Sequence, residues 1–171
     1  LVAFAMADSI GTPTDRLAKA LGTFTGVKRR FSYQIQTEDF VFIDDYAHHP
    51  TEINALHQAV REMYPEKKVT AIFQPHLFSR TKDFADEFAE SLAQFDELIL
   101  LEIYPAREEP IAGITSSWLL DKIQNDQKRL IAKEHLIDHV ATVDTDVLLT
   151  VGAGDIGAEV EKIKNKLTVE S

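Results

Sequence analysis

Strand-like apolar runs recur along this chain at Val41–Ile43, Val69–Phe73, Glu97–Tyr104, Arg129–Ala132 and Asp146–Val151, with longer stretches of helical periodicity between them. Runs such as Val-Phe-Ile, with no polar alternation, suit strands covered on both faces. The intervening lengths demand crossover connections, which places successive strands parallel and helices on both faces of the sheet. An α/β fold with a mainly parallel sheet follows. Phe31-Ser32-Tyr33-Gln34-Ile35 alternates instead and reads as a half-buried strand.

The helices are legible from spacing and caps. Thr12 is the expected N-cap of a helix with Pro13 at its first position, running to Leu21. From Pro50 to Met63, apolar Ile53, Leu56, Val60 and Met63 fall three and four apart, with Pro65 just beyond. A helix over Thr81–Phe95 carries Phe84, Phe88, Leu92 and Phe95 on one stripe, a core face. Thr115 caps a helix through Trp118, Leu119 and Ile123, a brief helix covers Glu134 to Ala141, and a last one runs to about Leu167.

Polar clusters close the strand-like runs, where open α/β sheets bind ligands. Asp44-Asp45-Tyr46-Ala47-His48-His49 places functional side chains at five of six positions before Pro50 opens a helix. The plainer alternative is a turn capped by aspartates with surface histidines. Gln74-Pro75-His76-Leu77-Phe78-Ser79-Arg80 closes the next strand with a histidine and an arginine. Lys28-Arg29-Arg30 suits either a solvated turn or bidentate contacts to phosphate oxygens. His135 and His139 stand four apart on a helix, a spacing that can hold a metal, but no third ligand accompanies them.

Gly152-Ala153-Gly154-Asp155-Ile156-Gly157 matches the dinucleotide fingerprint letter for letter. That fingerprint also requires a further strand and an acidic residue about 20 positions on, both missing here. What remains is a turn whose glycines let backbone N–H groups at a helix start approach an anion or another backbone closely.

Composition narrows the class. The 171 residues bury enough surface for one real core, and the net charge of −10 argues against nucleic acid as a partner. The apolar opening Leu1–Ala7 is far short of a membrane span. Without cysteine the chain has neither disulfides nor thiol chemistry, which fits a reducing cytoplasmic setting.

Four segments in order, Gly26-Val27-Lys28-Arg29-Arg30-Phe31, Asp44 to Glu52, Phe73 to Thr81 and Gly152 to Gly157, resemble the Mur ligases of peptidoglycan synthesis. The resemblance covers nearly the whole chain and implies a Rossmann-like carboxyl-terminal domain over residues 23–171, with 1–22 as the end of the central ATPase domain and a linker. It implies joining L-alanine to UDP-N-acetylmuramate, with ATP and Mg2+ bound mainly by the central domain. A murein tripeptide recycling ligase is the near alternative, and a stand-alone nucleotide-binding module using Gly152–Gly157 the distant one.

By the same resemblance, Arg30 reaches the ATP phosphates and Asp45 the ribose hydroxyls, with Tyr46 and His49 completing that edge. His48, His76 and Arg80 face the amino-acid and muramate carboxylates; Arg30, Asp45, His48 and His76 make up the expected catalytic set. Relatives of this kind carry arginine where Leu77 stands and glycine where Ala47 stands. Neither Arg30→Ala nor Asp45→Ala is expected to disturb the fold. The chain has no G-x-x-x-x-G-K-[ST] phosphate loop and is expected to be inactive alone.

Overall fold

The computed structural model describes residues 2–24 and 26–169. Its elements are α1 (Val2–Ser9), α2 (Thr14–Gly22), β1 (Ser32–Gln36), β2 (Val41–Asp45), α3 (Pro50–Met63), β3 (Val69–Phe73), α4 (Phe78–Asp83) and α5 (Ala85–Leu92), followed by β4 (Glu97–Leu100), α6 (Ser116–Lys122), β5 (Lys128–Leu130), α7 (Leu136–Val140), β6 (Val147–Val151) and α8 (Val160–Val169). Leu1, in the opening apolar run, and Thr25 lie outside the described residues, as do Glu170 and Ser171 at the end of the expected 23–171 domain.

One six-stranded sheet runs in the order β1-β2-β6-β3-β4-β5. Only β1 is antiparallel; β2, β6, β3, β4 and β5 are parallel neighbours. The continuous apolar runs are explained by burial on both sides. Val41, Ile43, Ala71, Phe73, Leu98, Leu100 and Leu149 pack with Ile53 and Val60 of α3, Phe88 and Leu92 of α5 and Leu119 of α6. On the other face Phe42, Ile72, Ile99 and Leu148 meet Leu136 and Val140 of α7 and Val160 and Ile163 of α8. The expected three-layer α/β architecture is therefore present. Among the described residues no helix is long and apolar enough to cross a membrane.

Local expectations are corrected in several places. Thr12 does not cap α2. Its N–H reaches back to Ala7 O at 3.0 Å while Gly11, at φ 83°, donates to Asp8 O at 2.9 Å, so it closes α1 and leaves Pro13 as the uncapped N-cap. The helix expected over Thr81–Phe95 begins earlier, at Phe78, and breaks at Phe84 (φ −116°, ψ 26°). The stripe still serves the core, because Phe88, Leu92 and Phe95 beyond that break are buried and Phe84 itself packs partly buried against them. Met63 is half exposed at the end of α3, where the Tyr33 hydroxyl of β1 meets its sulfur at 3.6 Å.

The strand expected over Glu97–Tyr104 stops at Leu100, where its neighbours β3 and β5 also end their pairing, at Phe73 and Leu130. Beyond it, Leu101 donates to Phe73 O at 2.9 Å and Tyr104 to Pro75 O at 2.8 Å, so the chain stays extended toward the strand ends. The strand expected over Arg129–Ala132 is instead Lys128–Leu130, and the segment from Glu134 divides into a 3-10 turn, Lys133–His135, and α7.

Candidate active site

The site is built where the parallel strands end. β2 delivers Asp44 and Asp45 and the loop to α3 delivers Tyr46, His48 and His49. β3 leads to Gln74 and His76, with Arg80 on α4, and β6 leads into the glycine turn. Ring contacts link these groups into one rim: Tyr46 to His48 at 5.3 Å between centroids, His48 to His76 at 6.3 Å, and His76 to Tyr104 at 5.6 Å. Arg29 and Arg30 lie over the Tyr46 ring at 5.2 and 5.9 Å. Arg30, Tyr46, His48 and His76 therefore share one edge, with Asp45 and Arg80 beside them.

Asp45 is almost buried and turned onto the backbone. One carboxylate oxygen accepts the Phe31 N–H at 2.6 Å and the other the Ala47 N–H at 2.8 Å. These bonds hold a turn in which Arg29 (φ 59°) and Phe31 (φ 45°) both occupy the left-handed region, costly for side chains of this bulk. Arg30, between them, is 55% exposed and its guanidinium makes a partly exposed ion pair with Glu52 at 3.9 Å, an interaction weak enough to yield to an incoming group.

His48 and His49 differ in what holds them. His49 Nδ1 accepts the Thr51 N–H at 3.3 Å as the N-cap of α3, and its ring packs on Phe84 at 4.7 Å. His48 Nδ1 faces Tyr46 O at 2.9 Å and a Glu52 carboxylate oxygen at 3.2 Å. Both are acceptors, so Nδ1 carries the proton and Nε2 keeps its lone pair when the ring is neutral. Glu52 also accepts the His48 N–H at 2.9 Å. Burial raises the Glu52 carboxyl, but that N–H and the charges of His48 and Arg30 outweigh it and hold the group below its ordinary range.

At the β3 end, the His76 Nδ1 and Arg80 Nη1 atoms are buried without a hydrogen-bond partner. Buried polar atoms are nearly always paired, so two such atoms on neighbouring residues mark a place where an outside group can complete the bonding. Burial, then Arg80 and His48, pushes the His76 imidazole below its ordinary value, and Glu108 opposes them. Helix α4 starts at Leu77 (φ 74°) with no cap from its own side chain. Glu108, from the loop after β4, supplies one by accepting the Ser79 N–H at 3.0 Å and its hydroxyl.

The glycine turn is packed with the protein's own atoms. A Cβ on Gly154 would run into the Gln74 carboxamide and lie 2.8 Å from Tyr104 Cβ, and one on Gly157 would lie 2.6 Å from the Arg29 guanidinium. Gln74 donates to Asp155 at 2.7 Å and accepts the Ile156 N–H at 2.8 Å. Gln74, Tyr104 and Arg29 crowd the glycines of this turn, so the close approach that glycine permits serves side chains here. His135 is exposed, and among the described residues no three His, Cys, Asp or Glu groups converge to hold a metal.

Tyr104 and Glu108 are candidate site components that periodicity could not reveal, since loops have none, whereas Arg29, Glu52 and Gln74 lie inside the segments singled out from the sequence without their partners being legible there. The one available signal was a place in or beside a polar stretch that closes a strand-like run.

The profile of the family described as "Mur ligase, glutamate ligase domain" matches residues 29–155. The chain belongs to the Mur ligase family. Among Mur ligases, it is 62% identical over 167 residues to the UDP-N-acetylmuramate–L-alanine ligase of Flavobacterium johnsoniae and 64% identical over 167 residues to that of Flavobacterium psychrophilum, each match covering 98% of this chain and 37% of the relative. The crystal structure of the UDP-N-acetylmuramate–alanine ligase of Thermotoga maritima superposes with a TM-score of 0.76 at 29% identity, covering 98% of this chain and 36% of that one. The chain thus spans little more than a third of the length of the Mur ligases it matches.

Proposed function

We propose that this chain is the carboxyl-terminal domain of a cytoplasmic, ATP-dependent ligase that joins L-alanine to UDP-N-acetylmuramate. The observation that carries the reading is the identity of 62% and 64% to ligases of that name across nearly the whole chain. It favours L-alanine over a murein tripeptide as the amine. In the reaction, the muramate carboxylate takes the γ-phosphoryl group of ATP, releasing ADP. The alanine amine then attacks the acyl phosphate, a C–N bond forms, the C–O bond to phosphate breaks, and the proton lost from nitrogen passes to solvent or a base.

The residues support distinct parts of this chemistry. Arg30 offers an unburied guanidinium to developing phosphate charge. Asp45 keeps lone pairs beyond the two N–H bonds it accepts and can take a ribose hydroxyl, with Tyr46 next along the chain; His49, engaged with Thr51 and Phe84, would complete that edge from the start of α3. The unpaired Arg80 and His76 atoms suit a substrate carboxylate, and His48 flanks them. Mg2+ would accompany ATP on the central domain and supply charge neutralisation there. Residues 1–22 would close that domain, in keeping with the exposed Val2 and Met6 of α1 and the exposed Ile10 just after it. Domain closure would exclude water from the acyl phosphate.

The test is ADP release by the full-length protein that contains this chain. Release that requires both UDP-N-acetylmuramate and L-alanine is expected, with none from residues 1–171 alone. Release supported by the tripeptide and not by L-alanine would overturn the reading.

A further inference from the structure

Arg29, which the ligase reading leaves without a role, has more fixed contacts than Arg30. Its Nε donates to Asp44 at 2.9 Å and its Nη2 to Gly152 O at 2.7 Å. Asp44 is 2% exposed, and its remaining bonding comes from Thr150 Oγ1 at 2.9 Å. The Arg29 carbonyl accepts the Tyr46 N–H at 2.7 Å. On its other side the guanidinium lies against Gly157, where a Cβ would come within 2.6 Å of Nη1. The turn before β1, the end of β2 and the end of β6 are thus fastened by one side chain.

The guanidinium also stands 5.2 Å from the Tyr46 ring, on which Arg30 is the second cation at 5.9 Å. One cation is locked and the other is exposed in a loose ion pair with Glu52, with the phenol ring between their functions. Only arginine combines a fork that satisfies a carboxylate and a carbonyl together with a flat face for an aromatic ring; lysine has a single point charge.

We propose that Arg29 is a positioning residue for the nucleotide edge: it fixes Tyr46 and the left-handed turn that presents Arg30, so this edge is formed before ATP arrives. The inference rests on the ligase reading for the identity of the ligand, but its structural half does not. Arg29 acts through Tyr46 and Arg30, since its Nε and Nη2 donors are engaged within the protein and Nη1 is pressed on Gly157.

The experiment uses the full-length ligase. Arg29→Ala is expected to raise the KM for ATP about tenfold or more, on the scale of catalytic-group misplacement, with the KM values for UDP-N-acetylmuramate and L-alanine nearly unchanged. Arg29→Lys is expected to fall between. Gly157→Ala pushes the guanidinium aside and is expected to reproduce the ATP defect, while adding it to Arg29→Ala makes matters no worse, because the space is already vacant. A folded Arg29→Ala enzyme with an unchanged KM for ATP overturns the proposal, as do additive effects of the two substitutions. Should Arg29→Ala not fold, the same ATP titration of Gly157→Ala and Arg29→Lys decides. If the wild type makes no ADP with these substrates, the ligase reading is what has gone wrong. A crystal structure of the Arg29→Ala or Gly157→Ala protein then judges the positioning: a displaced Tyr46 ring upholds it and an unmoved ring overturns it.

Discussion

Asp45 and Phe31 are joined by a 2.6 Å hydrogen bond from the Phe31 N–H to a carboxylate oxygen, and through it a site carboxylate supports a strained backbone. This changes what substitution of Asp45 reports. Hydrogen bonds to charged acceptors contribute about 1.5–3 kcal/mol each, and Asp45 accepts two. Asp45→Ala is therefore expected to lower unfolding free energy by roughly 3–6 kcal/mol as well as abolish turnover, contrary to the sequence expectation of an intact fold. Arg30→Ala, at an exposed side chain, is expected to cut turnover with a stability change within about 0.5 kcal/mol. Urea unfolding of both variants checks the contrast; equal stabilities would refute it.

The glycine turn is expected to answer as packing. Gly152→Ala places a Cβ 2.8 Å from Gln74 O at a φ of 143°, and Gly154→Ala drives one into the Gln74 side chain. Each is expected to cost on the order of 1–3 kcal/mol, the range for overpacking. Titration of the wild-type chain with NAD is expected to show no binding, since Gln74 and Arg29 fill the turn. Saturable NAD binding abolished by Gly154→Ala would show instead that the turn holds a ligand.

Stability should fall on mild acidification. Burial first, and then Arg61, Arg80 and Arg129 respectively, hold His57, His76 and His139 below the ordinary 6.5. The unfolded chain then binds more protons than the folded one, so this stabilisation is complete above 6.5 and is lost as pH falls through the folded values. Depressed carboxylates such as Glu52 and Asp96 act in the same direction, but only once pH approaches their ordinary 4.5 and 3.8. Tm is expected to drop between about pH 7 and pH 5, with a shallower slope in His57→Gln. A flat Tm over that interval would contradict the assignment.

Leu77 opens α4 at φ 74° and ψ 132°, a region open chiefly to glycine. Leu77→Ala keeps the strain and loses the side chain; Leu77→Gly loses the same contacts and relieves the strain. Glycine is expected to be the more stable of the two by about 1 kcal/mol, measured by denaturant unfolding. The opposite order would show that the backbone here is unstrained.

The sequence by itself determined the layers. Val41–Ile43, Val69–Phe73 and Asp146–Val151 lack polar alternation because both faces of their strands are covered, and spacing alone revealed the buried face of α3. It also placed Asp45, His48, His76 and Arg80 at strand ends, because polar residues following apolar runs must leave the sheet there. Tertiary structure decided the rest. It chose Arg29 over Arg30 as the inward cation, set Asp45 onto the Phe31 amide, filled the glycine turn with Gln74, and broke the α4–α5 segment at Phe84. The physical reason is range: periodicity reports which face of an element is dry, whereas the aim of a loop side chain depends on partners such as Gly152, which is 123 residues from Arg29.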